Sequence, residues 1–195
     1  LRVTNGREGI ALSSCTGARI VNTKVDSNGY TGVRLSACAL AQFEANTVSG
    51  NGGEGLRLDQ GCADVVVRGN YFVGHVDSSG LRVDGEYGRC RNIAVLDNFA
   101  TGNLNGFYLN DAESCVLQGD TAQGNLDVGF LAVFADTIAW THDSSSANGG
   151  RGYYLYAVNG SRLEQCRGDS NGGGGLELTA GSRDDAVSGG GFARN

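Results

Sequence analysis

The chain has 195 residues, 33 of them glycine and none proline or methionine; 40% are hydrophobic and the formal net charge is −6. That hydrophobic share sustains a buried core and speaks against disorder, while the acidic balance argues against a general nucleic-acid or anionic-membrane binder, which needs a positive field. No apolar run approaches the roughly 20 residues of a membrane-spanning helix, so no membrane insertion is expected.

One phrase, glycine followed by apolar, variable, apolar, opens at Gly9, Gly32, Gly55, Gly80, Gly106, Gly129, Gly152 and Gly175. The steps are 23, 23, 25, 26, 23, 23 and 23 residues. A fixed period in the twenties is the signature of a solenoid. The first unit carries Ile10 and Leu12, then Ile20, and ends at Asn28. In the second, Val33 and Leu35 alternate with Arg34 and Ser36, Cys38 rounds a bend, Ala41 and Phe43 alternate with Gln42 and Glu44, and Asn51-Gly52 closes the circuit. This is period-two alternation in three short strands, with no stretch periodic enough for a helix. The third unit repeats the pattern with Leu56, Leu58 and Val67 but ends at His75. The fourth lengthens between Asp84 and Cys90 by a loop, Gly85-Glu86-Tyr87-Gly88-Arg89. Units five to seven continue with Phe107, Phe130 and Tyr153, and the eighth with Leu176.

These elements predict an all-β fold: a right-handed parallel β-helix solenoid of about eight coils of roughly 23 residues, three short strands per coil. Residues 1–195 are expected to form a single β-helix domain. With no initiator methionine and a start inside a repeat at Leu1, the chain is expected to be a processed or excised piece of a longer β-helix. Asn28, Asn51, Asn103, Asn125, Asn148 and Asn171 recur at one turn and should form an asparagine ladder, with His75 in the place of one rung. Cys15, Cys38, Cys62 and Cys90 share one repeat position, each 13 residues before that turn. They should stack as small interior hydrophobes; a disulfide between neighbouring coils is the alternative. No paired Cys-x-x-Cys unit is present, so no metal site is predicted. No cofactor is expected; calcium is the one ion left open, without a motif to hold it.

The phrases Asn28-Gly29-Tyr30-Thr31-Gly32-Val33, Asn51-Gly52-Gly53-Glu54-Gly55-Leu56 and Asn148-Gly149-Gly150-Arg151-Gly152-Tyr153 resemble the repeats of the pectate-lyase-like right-handed β-helix superfamily. They look most like the modules of mannuronan C5-epimerases and of their periplasmic copper-protein and secreted relatives. The resemblance implies an extracellular, cell-surface or periplasmic location and a substrate groove over the first strand and the loop after it. The epimerase pattern includes an Asp-Pro-His-acidic motif, and this chain has neither proline nor an Asp-x-His match. No catalytic residue is carried over.

Two rows point outward from the first strand: Ala11, Arg34, Arg57, Arg82, Tyr108, Leu131, Tyr154, Glu177, and beside it Ser13, Ser36, Asp59, Asp84, Asn110, Val133, Tyr156, Thr179. Like charges stacked about 5 Å apart need a compensating partner. Asp59 and Asp84 are placed to supply it, as a solvated ion-pair network. Alternatively Arg34, Arg57 and Arg82 grip the carboxylates of an acidic polysaccharide or oligosaccharide through forked hydrogen bonds, with Tyr108, Tyr154 and Tyr156 stacking on sugar rings. For catalysis the candidates are Asp59 and Asp84, whose arginine neighbours should depress their pKa values, and His75 as proton carrier against a plain hydrogen-bonding role. Whether the chain is an enzyme stays open; a lyase, an epimerase or a glycoside hydrolase would suit this geometry. The competing reading is a noncatalytic solenoid of a surface protein or phage tailspike. Its apolar row would then dock a second copy or an adjoining β-helix segment.

Overall fold

The computed structural model describes residues 1–195, and it contains strands and turns but no helix. Three parallel sheets of eight strands each run side by side along the solenoid. The first-strand sheet consists of Ile10–Ser13, Val33–Ser36, Leu56–Asp59, Ser79–Asp84, Asn105–Asn110, Phe130–Val133, Arg151–Tyr156 and Gly174–Thr179. Its register is the expected one throughout: Arg34 pairs with Arg57, Arg57 with Arg82, Arg82 with Tyr108, Tyr108 with Leu131 and Leu131 with Tyr154. Cys90–Arg91 and Ala112–Glu113 add a two-stranded ladder beside the lengthened fourth coil.

Single left-handed residues make the corners. After the first strand they are Ser14, Ala37, Gln60, Asp111, Phe134, Ala157 and Ala180, with φ between 47° and 55°. A left-handed residue costs an L-amino acid roughly 1–2 kcal/mol, yet it swings the chain into the next sheet in one step. Hydrogen bonds to the coils above and below hold it there. In the fourth coil the five-residue loop takes its place, closed by the Gly88 amide donating to the Gly85 carbonyl at 3.0 Å.

The repeating glycine has a different cause. None of the eight has positive φ; the constraint is close approach. A Cβ on Gly80 would lie 2.9 Å from the Gly106 carbonyl oxygen, 2.9 Å from Phe72 Cβ and 3.0 Å from Asn103 Nδ2. The row therefore lets each coil sit on the next while the asparagine ladder passes beneath. Gly80→Ala is expected to lose about 1–3 kcal/mol in urea unfolding through overpacking, whereas Gly191→Ala, with nothing within 4 Å, should change little.

The core fills by compensation within each coil. The inward third-strand residue is Phe72 where the first strand offers Leu56, but shrinks to Ala122, Ser145 and Gly168 where the first strand offers Phe107, Phe130 and Tyr153. Those three rings stack at centroid separations of 5.0 and 4.9 Å. Trp140 fills the second-strand side of the same region. All six cysteines are free. Cys15, Cys38, Cys62 and Cys90 do stack, and Ala112, Ala135 and Val158 continue the row.

The asparagine ladder forms as expected. Each asparagine rung accepts the previous rung's backbone and side-chain N–H: Asn125 Oδ1 takes Asn103 N at 3.2 Å and Nδ2 at 3.1 Å, and Asn148 Oδ1 takes Asn125 at 2.9 and 3.0 Å. A second ladder, not anticipated from the sequence, lies at the corner between second and third strands and runs Asn46, Asn70, Asn98, Asp120, Asp143. Its rungs are 24, 28, 22 and 23 residues apart, a periodicity legible in the sequence once the first ladder is known.

Candidate functional site

The two outward rows of the first-strand sheet meet in an ion-pair network. Arg34 Nε and Nη2 both reach Asp59 Oδ2, at 2.9 and 2.8 Å. Arg57 bridges three carboxylates, donating from Nε to Asp59 at 2.9 Å, from Nη2 to Asp84 at 2.7 Å and from Nη1 to Glu54 at 3.4 Å. Arg82 Nη2 lies 3.0 Å from Asp84. Glu54, which the alternation did not single out because it precedes the strand, is the third carboxylate and also accepts the Thr31 hydroxyl at 2.9 Å. Three arginines thus face three carboxylates, and the stripe is balanced internally rather than by a ligand.

The network is not fully solvated, contrary to the expectation for a surface lattice. Asp59 and Asp84 are only 2% and 1% exposed, while the arginine side chains keep 24–34%. The arginines cover the aspartates. Burial raises the Asp84 pKa, but the Asn110 amide, Arg82, the Glu86 backbone amide and Arg57 outweigh it and hold the carboxyl below the usual range. In this arrangement Asp59 and Asp84 orient the guanidinium groups, which stay part-exposed, although Arg82 Nε is buried without a partner.

Toward higher residue numbers the stripe becomes aromatic. Arg82 lies over the Tyr108 ring at 4.9 Å and Arg151 over Tyr154 at 4.4 Å, cation–π contacts that fix both rings. Arg151 also pairs with Glu177. Tyr154 and Tyr156 contact edge to face, and Phe134 meets Tyr156 at 5.6 Å. Phe134 is a residue the alternation missed, since it lies just past the strand. It is 55% exposed and holds a left-handed backbone at φ 52°, a costly place for a bulky side chain. With Glu86, Asn110 and Asp111 it lines a recess of about 500 Å³ beside the fourth-coil loop. Arg89 of that loop is tied to Asp111 and Asp136, at 2.9 Å each.

His75 is not brought to this face. Its ring is packed under Gly55 inside the solenoid. Nδ1 lies 2.8 Å from Asn103 Oδ1 and Nε2 3.2 Å from Asn51 Nδ2, so both nitrogens serve the ladder. Donation from Nδ1 and acceptance at Nε2 requires the neutral ring, in keeping with burial lowering its pKa.

With this geometry in hand, the sequence profile of the family described as "Periplasmic copper-binding protein (NosD)" matches residues 77–195, more than half of the chain. The chain belongs to that family. The description "Right handed beta helix region" matches residues 2–91 of this NosD-type chain, in agreement with the hand expected from parallel crossovers. No curated protein matches it in sequence. Among solved structures it is similar to a mutant of the periplasmic alginate epimerase AlgG (TM-score 0.88, 16% identity, 96% of this chain and 48% of that one). It is also similar to the Azotobacter vinelandii mannuronan C-5 epimerase AlgE4 A-module (TM-score 0.73, 17% identity, 94% and 60%). Pectate lyase Pel9A follows (TM-score 0.68, 17% identity, 90% and 53%). The NosD-type chain spans about half the length of AlgG, and at these identities the likeness shows the pectate-lyase-like fold alone.

The family description carries copper, and the donors of this chain do not fit it. No three His, Cys, Asp or Glu side chains lie where they could hold a metal ion. There is no methionine, and the two histidines are His75, committed to the ladder, and His142, alone at an exposed corner. The thiols of Cys38, Cys62 and Cys90 point at the backbone carbonyls of Leu12, Leu35 and Leu58. Burial pushes the Cys115 and Cys166 thiols up to about 11, away from the thiolate a metal needs.

Proposed function

We propose that this chain is a polysaccharide-binding β-helix module, working outside the cytoplasm, that lays an acidic sugar chain along the outward face of its first-strand sheet. The observation that carries this reading is the single in-register row from Arg34 to Tyr154, in which three arginines run directly into Tyr108, Leu131 and Tyr154. Five strand steps of about 4.8 Å give roughly 24 Å, room for several sugar units. Sugar carboxylates would take the outward N–H groups of Arg34 and Arg57 in charge-assisted bonds. Tyr108, Tyr154, Tyr156 and Phe134 would offer ring faces or edges. Polysaccharide chemistry in the structurally similar AlgG, AlgE4 module and pectate lyase supports the ligand class.

The reading is one of binding. Asp59 and Asp84 are engaged in holding the arginines and His75 in holding the ladder, so these three act as positioning groups. Because the stripe is balanced by its own carboxylates, affinity should rest on hydrogen bonding and stacking more than on long-range attraction.

Titration calorimetry with alginate and pectate oligosaccharides, and with neutral oligosaccharides as controls, tests this. The uronate oligomers should bind. Arg34→Gln, which leaves Asp59 its bonds to Arg57, should weaken them about 10- to 100-fold, the worth of one charged hydrogen bond. Phe134→Asn should weaken binding while raising the unfolding temperature, since asparagine tolerates the left-handed corner. Uronate binding unchanged in Arg34→Gln, or tighter binding of the neutral sugars, would sink the proposal.

A further inference from the structure

The second ladder changes chemistry midway. In its first rungs each asparagine uses both ends of its amide. Oδ1 accepts the preceding rung's backbone N–H, from Thr23 to Asn46 at 2.9 Å, Asn46 to Asn70 at 2.8 Å and Asn70 to Asn98 at 2.9 Å. Nδ2 donates to an inward second-strand carbonyl, Asn46 to Ile20 at 2.9 Å, Asn70 to Phe43 at 2.9 Å and Asn98 to Val67 at 3.0 Å. The place therefore demands one acceptor and one donor.

Asp120 and Asp143 occupy the next two rungs. As acceptors they conform: Asp120 Oδ1 takes Asn98 N at 2.7 Å and Nδ2 at 2.9 Å, and Asp143 Oδ1 takes Asp120 N at 2.7 Å. By the register Val67, Val95, Leu117, the carbonyls equivalent to those the asparagine amides donate to are Val95 and Leu117, and the position that the amide nitrogen fills in an asparagine falls to Oδ2 in these two rungs. Both residues are fully buried, and both Oδ2 atoms lack a partner. An ionised carboxylate there would set oxygen against oxygen with no counter-charge. A carboxylic acid, with its proton on Oδ2, restores the missing donor.

We propose that Asp120 and Asp143 are neutral carboxylic acids in the folded solenoid, two proton-binding rungs that release their protons and loosen the fourth to sixth coils as the medium turns alkaline. The titratable groups facing the pair are Asp97, Tyr153 and Cys166, none of them cationic. His142 and Arg167 lie exposed on the outer side of the same corner. Burial raises the Asp120 carboxyl to about 7; burial and then the Asp120 charge raise Asp143 to about 8. Acids raised in this way keep their protons in the folded chain where the unfolded chain, at 3.8, has lost them. Stability therefore falls as pH climbs from about 4 through these folded values. Below that window the rungs cost nothing.

The test compares the chain with Asp120→Asn/Asp143→Asn, which extends the amide ladder through both rungs. From about pH 6 to about pH 9 the thermal midpoint of the unchanged protein should fall, and exchange at the Asn98 and Asp120 amides should rise about 10-fold beyond its ordinary base catalysis. In the double variant both should be flat. Infrared difference spectra should show a protonated-carboxyl stretch at about pH 6 that titrates away and is absent from the variant. A midpoint that holds level or rises with pH, or no such band at about pH 6, overturns the proposal. If the double variant fails to fold, Asp143→Asn alone and the infrared titration of the unchanged protein decide it.

Discussion

Phe130→Ala is expected to cost about 3–5 kcal/mol for the buried ring, with roughly 0.5–1.5 kcal/mol more for each neighbouring ring it no longer stacks on. Phe130 is the middle ring of the Phe107–Phe130–Tyr153 stack, so both stacking partners are forfeited together. The site cannot collapse readily. Across the coil the third strand offers only Ser145, and strands pinned in register above and below cannot close in on the cavity. Packing between adjacent coils carries solenoid stability, so the substitution should uncouple the coils on either side. Urea unfolding followed by circular dichroism should show a lowered midpoint and a reduced slope, where a local defect would lower the midpoint alone.

Arg57→Ala should be comparably damaging, by about 3–5 kcal/mol, because it strips a partner from three buried carboxylates at once, Asp59, Asp84 and Glu54. Asp59 would keep Arg34, and Asp84 would keep Arg82 and Asn110. The damage should depend on pH in a defined direction. Asp84 is held below 3.8, so the stabilisation it gains from its partners is present above that pH and is lost as pH falls and the carboxyl protonates. The gap between Arg57→Ala and the unchanged protein should then narrow in acid, and chemical denaturation at about pH 3 and about pH 7 measures it. Equal gaps at both pH values would mean that packing of the arginine stem, not charge, sets the cost. The same coupling makes Arg57 and Arg82 poor probes of sugar binding, since their removal disturbs the sheet; Arg34, with Asp59 as its single ion-pair partner, is the cleaner one.

The outward rows were legible because a parallel in-register sheet carries period-two alternation from coil to coil unchanged. Arg34, Arg57, Arg82, Tyr108, Tyr154 and Tyr156 lie where counting from the glycines places them. Glu54 and Phe134 escaped because they sit just outside the strand, where alternation stops and the corner geometry decides direction. Burial of Asp59 and Asp84 escaped for another reason. Alternation assigns a residue to the outer face but does not say whether longer neighbours will fold over it.

What the sequence determined by itself is the repeat: the glycine spacing, the stacked rows and the first asparagine ladder, because each coil must present the same surface to its neighbours and that demand is written at a fixed period. Only the tertiary structure decided which polar groups are committed. His75 proved to be a rung, the arginines proved to be balanced from beneath, and Asp120 and Asp143 proved to stand in amide positions. The hydrogen-bond partners that join neighbouring coils lie 22 to 32 residues away, so a side chain's donors and acceptors are settled largely by what the adjacent coil offers rather than by its own neighbours in the chain.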